Sequence, residues 1–99
     1  MAKKLKTTRW DVTEHLHSEA DMAEYLQAMI DESGNDPKMI AAAIGDIARA
    51  RGMTAVARRA RITREALYRA LSPDGNPEFA TVVKVLEALH LKLTVRPVA

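Results

Sequence analysis

Arginine side chains concentrate in the middle of the chain. Residues 49–69 contain seven arginines and a single acidic residue, Glu65, although the net charge of all 99 residues is only +2. The planar guanidinium group donates paired hydrogen bonds that match both a phosphate and the edge of a guanine base. These residues therefore predict contacts with a nucleic acid, whose phosphates form a dense row of negative charge.

The arginines surround a segment that predicts two short helices joined by a tight turn. Residues 54–71 place small apolar side chains at helical spacing on both sides of the turn. Thr54 and Thr63 stand where each helix is predicted to begin, because a hydroxyl accepts a hydrogen bond from a free backbone N–H. Glu65 falls in the first turn of the second helix, near the positive end of its dipole. The pattern is typical of a helix-turn-helix, whose second helix enters the major groove of DNA.

The outward side chains of this helix pair divide into two predicted groups. Arg64, Glu65 and Arg69 are predicted to read base edges. A second group, Arg58, Arg59 and Arg61, is predicted to contact backbone phosphates, which fix the register of a protein on DNA. Together the predicted DNA-binding residues are Arg58, Arg59, Arg61, Thr63, Arg64, Glu65, Tyr68 and Arg69. The alternative interpretation is that these residues form only a solvated surface, as exposed charged residues on a helix usually do.

Three further helices are predicted around the pair. Their predicted ranges are residues 18–33, 37–51 and 78–90. Asp36 and Pro37 are typical of a helix start, and Gly52 is typical of a helix end. Asn76-Pro77 repeats the start signal after a turn at residues 72–77. Phe79 is predicted to join the core, and the methionines at positions 22, 29 and 39 are predicted to fill it.

The end of the chain alternates apolar and polar residues. Residues 91–96 have the period of a half-buried strand. A lone strand must pair, and pairing with the same strand of a second copy would give a two-fold homodimer. The other interpretation is a frayed terminus.

Acidic residues concentrate in the first third of the chain. Residues 11–36 contain eight acids and no lysine or arginine. This segregation predicts a second, basic partner, although the acids are equally typical of a solvated helix face. The acids predicted to contact that partner are Glu14, Glu19, Asp21, Glu24, Asp31 and Glu32.

Several functional classes find no support in the sequence. The chain has no cysteine, so it has no disulfide, no thiolate zinc ligand and no cysteine nucleophile, which suits the cytoplasm. Its three histidines lack the i, i+4 spacing of a helical metal site. No glycine-flanked nucleophile, secretory signal or membrane span is visible. We therefore expect no catalytic residue, no metal, no cofactor, no membrane association and no enzymatic activity.

Two motifs carry a family resemblance. They are IGDIARARGMT at residues 44–54 and REALYRALSPDGNP at residues 64–77. From Trp10 to about Val95 the chain resembles the addiction-module antidote family, HigA-like antitoxins with a lambda-repressor-type helix-turn-helix. The resemblance implies a five-helix DNA-binding domain and a small basic toxin of the RelE/ParE type. It also implies that antitoxin and toxin together repress their own promoter.

Arg61 departs from the pattern of that family. Glycine is common at the turn between the two helices, where a positive φ is often required, and a side chain there costs about 1 kcal/mol. Either the turn relaxes, or Arg61 gains a phosphate contact that offsets the strain.

These observations predict a mainly α fold: a five-helix, lambda-repressor-like helix-turn-helix domain with a short C-terminal β-strand. Residues 1–17 are predicted to be an N-terminal extension, and residues 18–99 the DNA-binding domain with its C-terminal strand. The leading functional hypothesis is a homodimeric cytoplasmic antitoxin that neutralises a RelE/ParE-type toxin and binds double-stranded operator DNA. The alternatives are a stand-alone helix-turn-helix repressor without a toxin and a pure protein-interaction module.

Overall fold

A computed structural model describes residues 16–98, and this part of the chain folds into five helices. They are α1 (Glu19–Ser33), α2 (Pro37–Arg51), α3 (Met53–Ala60), α4 (Arg64–Ala70) and α5 (Phe79–Ala88). Among these residues, no helix is both long enough and apolar enough to cross a membrane. The predictions for Glu14, for Trp10 and for most of the N-terminal extension lie outside the described residues.

The first two helices begin and end where their local sequence predicts. Ser18 caps α1 by accepting a hydrogen bond from the Asp21 N–H at 3.1 Å, and Gly34 ends the helix in the left-handed conformation. Asp36 caps α2, and its side chain accepts from the Lys38 N–H at 3.0 Å. Gly52, at a φ of 100°, ends α2 and leads directly into α3. The predicted ranges of these two helices are confirmed.

One apolar core joins all five helices. Ile44 and Ile47 of α2 lie in it together with Met22 of α1, Leu67 of α4 and Val85 of α5, and each is at most 1% exposed. The buried face of α3 consists of Met53, Val56, Ala57 and Ala60. Because α3 packs on α2, α4 and α5, the short helix pair is held by the longer helices around it.

Gly45 of α2 packs beside the end of α4, at a distance where a Cβ atom would make ordinary van der Waals contact with Leu71. A Cβ atom at this position would lie 3.4 Å from the backbone oxygen of Leu71 and 3.5 Å from its Cβ. Beside it, the carboxylate of Asp46 is 8% exposed and accepts hydrogen bonds from the Tyr25 hydroxyl at 2.7 Å and from Arg49 at 3.2 Å. This polar cluster connects α1 to α2 within the core, where an unpaired carboxylate would be costly.

Some predicted helix starts and core positions are wrong. Helix α3 begins at Met53 after Gly52, so Thr54 lies inside it and is not the cap. Glu78 is the N-cap of α5, so this helix begins within one residue of its predicted start, although two residues after the signal at Asn76-Pro77. Phe79 is 69% exposed, because the first residue of a helix projects beyond its buried face. Met39 is 41% exposed and lies outside the core as well.

The structure does not support the predicted C-terminal strand. Within residues 16–98 the structure contains no strand, and residues 91–98 follow α5 without regular structure. Leu93 is 52% exposed and Val95 is 93% exposed, so neither packs as the alternation predicted. The physical reason is that a strand requires a neighbour for its backbone groups, and this part of the single chain offers none. Arg96 instead pairs with Asp31 of α1 at 3.0 Å.

Candidate nucleic-acid interface

A three-residue turn joins α3 to α4. Arg61 has φ 63° and ψ 41°, the left-handed conformation, and its N–H donates to the Arg58 carbonyl at 3.1 Å. The next N–H, that of Ile62, donates to the Ala57 carbonyl at 3.1 Å. Of the two alternatives that the sequence left open, relaxation of the turn is excluded: Arg61 keeps a positive φ at a position where glycine would be free of strain.

Helix α4 exposes the face that the sequence predicted to read DNA. The Thr63 hydroxyl caps the helix, accepting from the Ala66 N–H at 3.0 Å, which confirms its predicted capping role. Leu67 lies wholly in the core. The side chains that remain exposed on α4 are those of Arg64, Glu65, Tyr68 and Arg69. A short helix with one buried side chain and a charged outer face has the form that fits into a major groove.

Tyr68 holds Arg64 in position. The Arg64 Nη2 atom donates to the Tyr68 hydroxyl at 3.3 Å, and the Arg64 Cζ atom lies 5.3 Å from the centre of the Tyr68 ring. The hydrogen bond to Tyr68 is the main cause that raises the pKa of Arg64 above its ordinary value, although an arginine is charged at physiological pH even without this shift. Tyr68 thus orients an arginine that the sequence predicted to read bases.

The three arginines predicted to contact phosphates do not form one group. Arg59 and Arg61 line a shallow groove of about 370 Å³ together with Lys84, Glu87 and His90. Arg58 is exposed but does not line this groove, because it lies about 100° around α3 from Arg59. The structure therefore separates Arg58 from the other two arginines.

Sequence reasoning missed Lys84. It is the only lysine or arginine in residues 78–90, but the sequence provides no signal that places it beside Arg61. Lys84 lies near Arg61 because α5 packs against α3, and such a tertiary contact is not visible in the local sequence.

The described acids predicted to bind a basic partner lie on α1 but are not equally available. Glu19 lies 3.4 Å from His90, and Asp31 pairs with Arg96 at 3.0 Å. The pKa of Glu19 is lowered mainly by a hydrogen bond from the backbone N–H of Glu19 itself, and then by the contact with His90. Asp21 accepts from the His17 N–H at 3.3 Å. Glu24 and Glu32 make no hydrogen bond or ion pair with another residue of the range 16–98.

Comparison with known proteins assigns the family. The sequence profile of a family described as "probable addiction module antidote protein" matches residues 6–97. The chain belongs to this family. A protein of Haemophilus influenzae strain Rd, named only as uncharacterized, is 49% identical over 96 residues, which cover 97% of this chain and 95% of that protein. No solved structure matches the chain with significance.

Membership in the antidote family bears on the role of the exposed surfaces of this protein. An antidote acts on the toxin of its module, so the family indicates an antitoxin role and implies a toxin as partner. Such a role requires binding surfaces rather than catalytic groups. The described residues present two charged faces, a basic one on α3 and α4 and an acidic one on α1.

Replacing Arg61 with glycine is expected to stabilise this antidote-family protein by about 0.5–1 kcal/mol. The change removes the left-handed strain of a residue with a side chain, and the larger unfolded-state freedom of glycine offsets part of the gain. Urea unfolding measures the effect. Asn35→Gly is the matched control, since Asn35 has φ 66° but asparagine tolerates this conformation, so its change should be smaller. A destabilised Arg61→Gly protein would show that the turn stores no strain.

Proposed function

We propose that this protein is the antitoxin of a two-component module, which neutralises a RelE/ParE-type toxin and represses its own operon. It does so as a cytoplasmic homodimer that binds operator DNA through α3 and α4, a helix-turn-helix of the lambda-repressor type. In this proposal residues 18–99 form the DNA-binding domain and residues 1–17 extend it. The observation that carries the proposal is the exposed, charged face of α4, on which Arg64 donates to the Tyr68 hydroxyl, in a chain of the antidote family.

The DNA-binding role rests on the shape and the charge of the helix pair. Arg64, Glu65 and Arg69 lie on the outer face of α4, where each side chain can reach a base edge. The proposal requires two protomers, each measuring 38 × 30 × 26 Å over its described residues, to present their α4 helices about 34 Å apart. That spacing is one turn of DNA, which joins successive major grooves on one side of the duplex.

Footprinting on the promoter of its own operon tests this role. The proposal predicts a protected region with two-fold symmetry, whose half-sites lie about 10 base pairs apart from centre to centre. Protection of a single, asymmetric site would contradict the homodimer. Absence of protection at low salt would contradict DNA binding by this surface.

The toxin contact is proposed for the acidic face of α1. Glu24 and Glu32 are the best candidates for this contact, because neither pairs with a described residue, whereas Asp31 pairs with Arg96 and Glu19 lies 3.4 Å from the His90 ring. An electronegative surface attracts a basic partner and accelerates association. The same surface would be repelled by DNA, so the proposal assigns the two partners to different surfaces.

Substitution of either Glu24 or Glu32 is expected to weaken the toxin complex. Each glutamine variant, Glu24→Gln and Glu32→Gln, should lower the affinity about two- to fivefold at low salt, the usual contribution of an exposed charge pair. Surface plasmon resonance with the co-expressed toxin measures it. Asp74→Asn, in the turn before α5, removes an exposed acid elsewhere and should have no effect. Equal losses in all three variants would show that only net charge matters.

A stand-alone repressor is the second candidate function. The helix pair supports it equally well, since nothing in α3 or α4 requires a toxin. The neighbouring reading frame distinguishes the two: a small basic protein that co-purifies with this chain and arrests growth when expressed alone supports the antitoxin. Growth that is unaffected by that neighbour supports the stand-alone repressor.

A further inference from the structure

The groove between α3 and α5 collects positive charges that no described residue neutralises. Arg59 and Arg61 contribute from the end of α3 and from the turn, and Lys84 contributes from the middle of α5. All three side chains are exposed, and none makes a hydrogen bond or an ion pair with a residue in the range 16–98. Glu87 is the only acid in the lining, and it forms no ion pair with these cations.

Such a groove is suited to a single anion. Three like charges that converge on one depression repel one another, and an anion between them would convert this repulsion into attraction. Arg61 also keeps an unfavourable left-handed backbone conformation, as residues at binding sites often do. His90 lines the same groove but pairs with Glu19, which leaves Arg59, Arg61 and Lys84 for the ligand.

The position of the groove identifies the anion. Arg61 precedes the first residue of α4, Arg64, by three positions, so their Cα atoms are at most about 10 Å apart. If α4 enters a major groove of DNA, a strand of phosphates borders it at a comparable distance. We infer that the groove holds a backbone phosphate of operator DNA and that Lys84 is a phosphate-contacting residue alongside Arg59 and Arg61. This inference rests on the proposed function, and it extends the DNA surface from α3 and α4 onto α5.

Lys84→Gln tests the inference, with Lys38→Gln as its matched control. Lys38 is also exposed but lies in the first turn of α2, a helix that contributes no residue to the lining of the groove. Binding to an operator duplex and to a scrambled duplex is measured by fluorescence anisotropy over a salt series. Loss of the Lys84 charge should weaken both complexes alike and lower the salt slope by about one unit. The advantage of the wild type should then shrink about threefold between 50 mM and 200 mM salt, while Lys38→Gln behaves as wild type.

A double variant shows whether Lys84 and Arg61 share one phosphate. If they do, Lys84→Gln with Arg61→Gln should lose less affinity than the two single losses combined, because the second change acts on a contact already weakened. Strict additivity would overturn the shared site. An unchanged slope for Lys84→Gln in a protein that still prefers its operator would overturn the inference alone. A wild-type protein that binds neither duplex would overturn the proposed function as well.

Discussion

Replacement of Leu67 with alanine is expected to lower the free energy of unfolding by about 2–5 kcal/mol. Leu67 is fully buried and is the main anchor of α4 in the core. A helix of seven residues is not stable alone in water, so α4 depends on this packing more than the longer helices do. The variant should lose DNA binding together with its stability.

Urea unfolding followed by circular dichroism measures the loss. Leu93→Ala is the control, because Leu93 is 52% exposed and its truncation should change the stability by no more than about 0.5 kcal/mol. Equal stabilities for the two variants would mean that α4 does not pack against the core as described.

Replacement of Arg64 with alanine is expected to weaken operator binding by about 1–3 kcal/mol and to relax sequence preference at one position of each half-site. The reason is that Arg64 is charged, exposed and already oriented by Tyr68. Selection of binding sites from a randomised pool measures both effects. Tyr68→Phe keeps the ring but removes the hydroxyl that accepts from Arg64, so it should give a smaller loss of the same kind.

Arg58→Ala is the matched variant on the other helix. Arg58 is exposed but has no described partner that orients it, so its loss should weaken all sequences alike and lower the salt slope by about one unit. If Arg64→Ala and Arg58→Ala changed sequence preference equally, the division between base-reading and phosphate-contacting residues would be wrong.

The features that the sequence predicted well are those that neighbouring residues determine. Ser18, Asp36 and Thr63 cap their helices because a short polar side chain meets a free N–H two or three residues later. The positive φ of Arg61 follows in the same way from the short connection between two helices. The helix pair and its exposed face therefore needed no knowledge of the rest of the fold.

The features that the sequence did not predict depend on distant contacts. Glu19 contacts His90 and Asp31 contacts Arg96 across 71 and 65 residues of chain. The local sequence of α1 therefore did not show that two of its acids have partners. Phe79 is a large apolar residue of the kind that usually lies in a core, but as the first residue of α5 it projects beyond the buried face of the helix. Lys84 joins the arginines of α3 only because α5 packs beside them. Each of these outcomes is set by how helices meet, which hydrophobic spacing alone does not specify.

Binding of the purified chain to its own promoter, measured by fluorescence anisotropy from 50 mM to 200 mM salt, tests the central claim most directly. The account predicts that a dimer binds the promoter duplex at least 1000-fold more tightly than a scrambled duplex, roughly the lower limit for specific recognition, with an affinity that falls steeply as salt rises. Equal binding to both duplexes, or no binding at 50 mM salt, would contradict it.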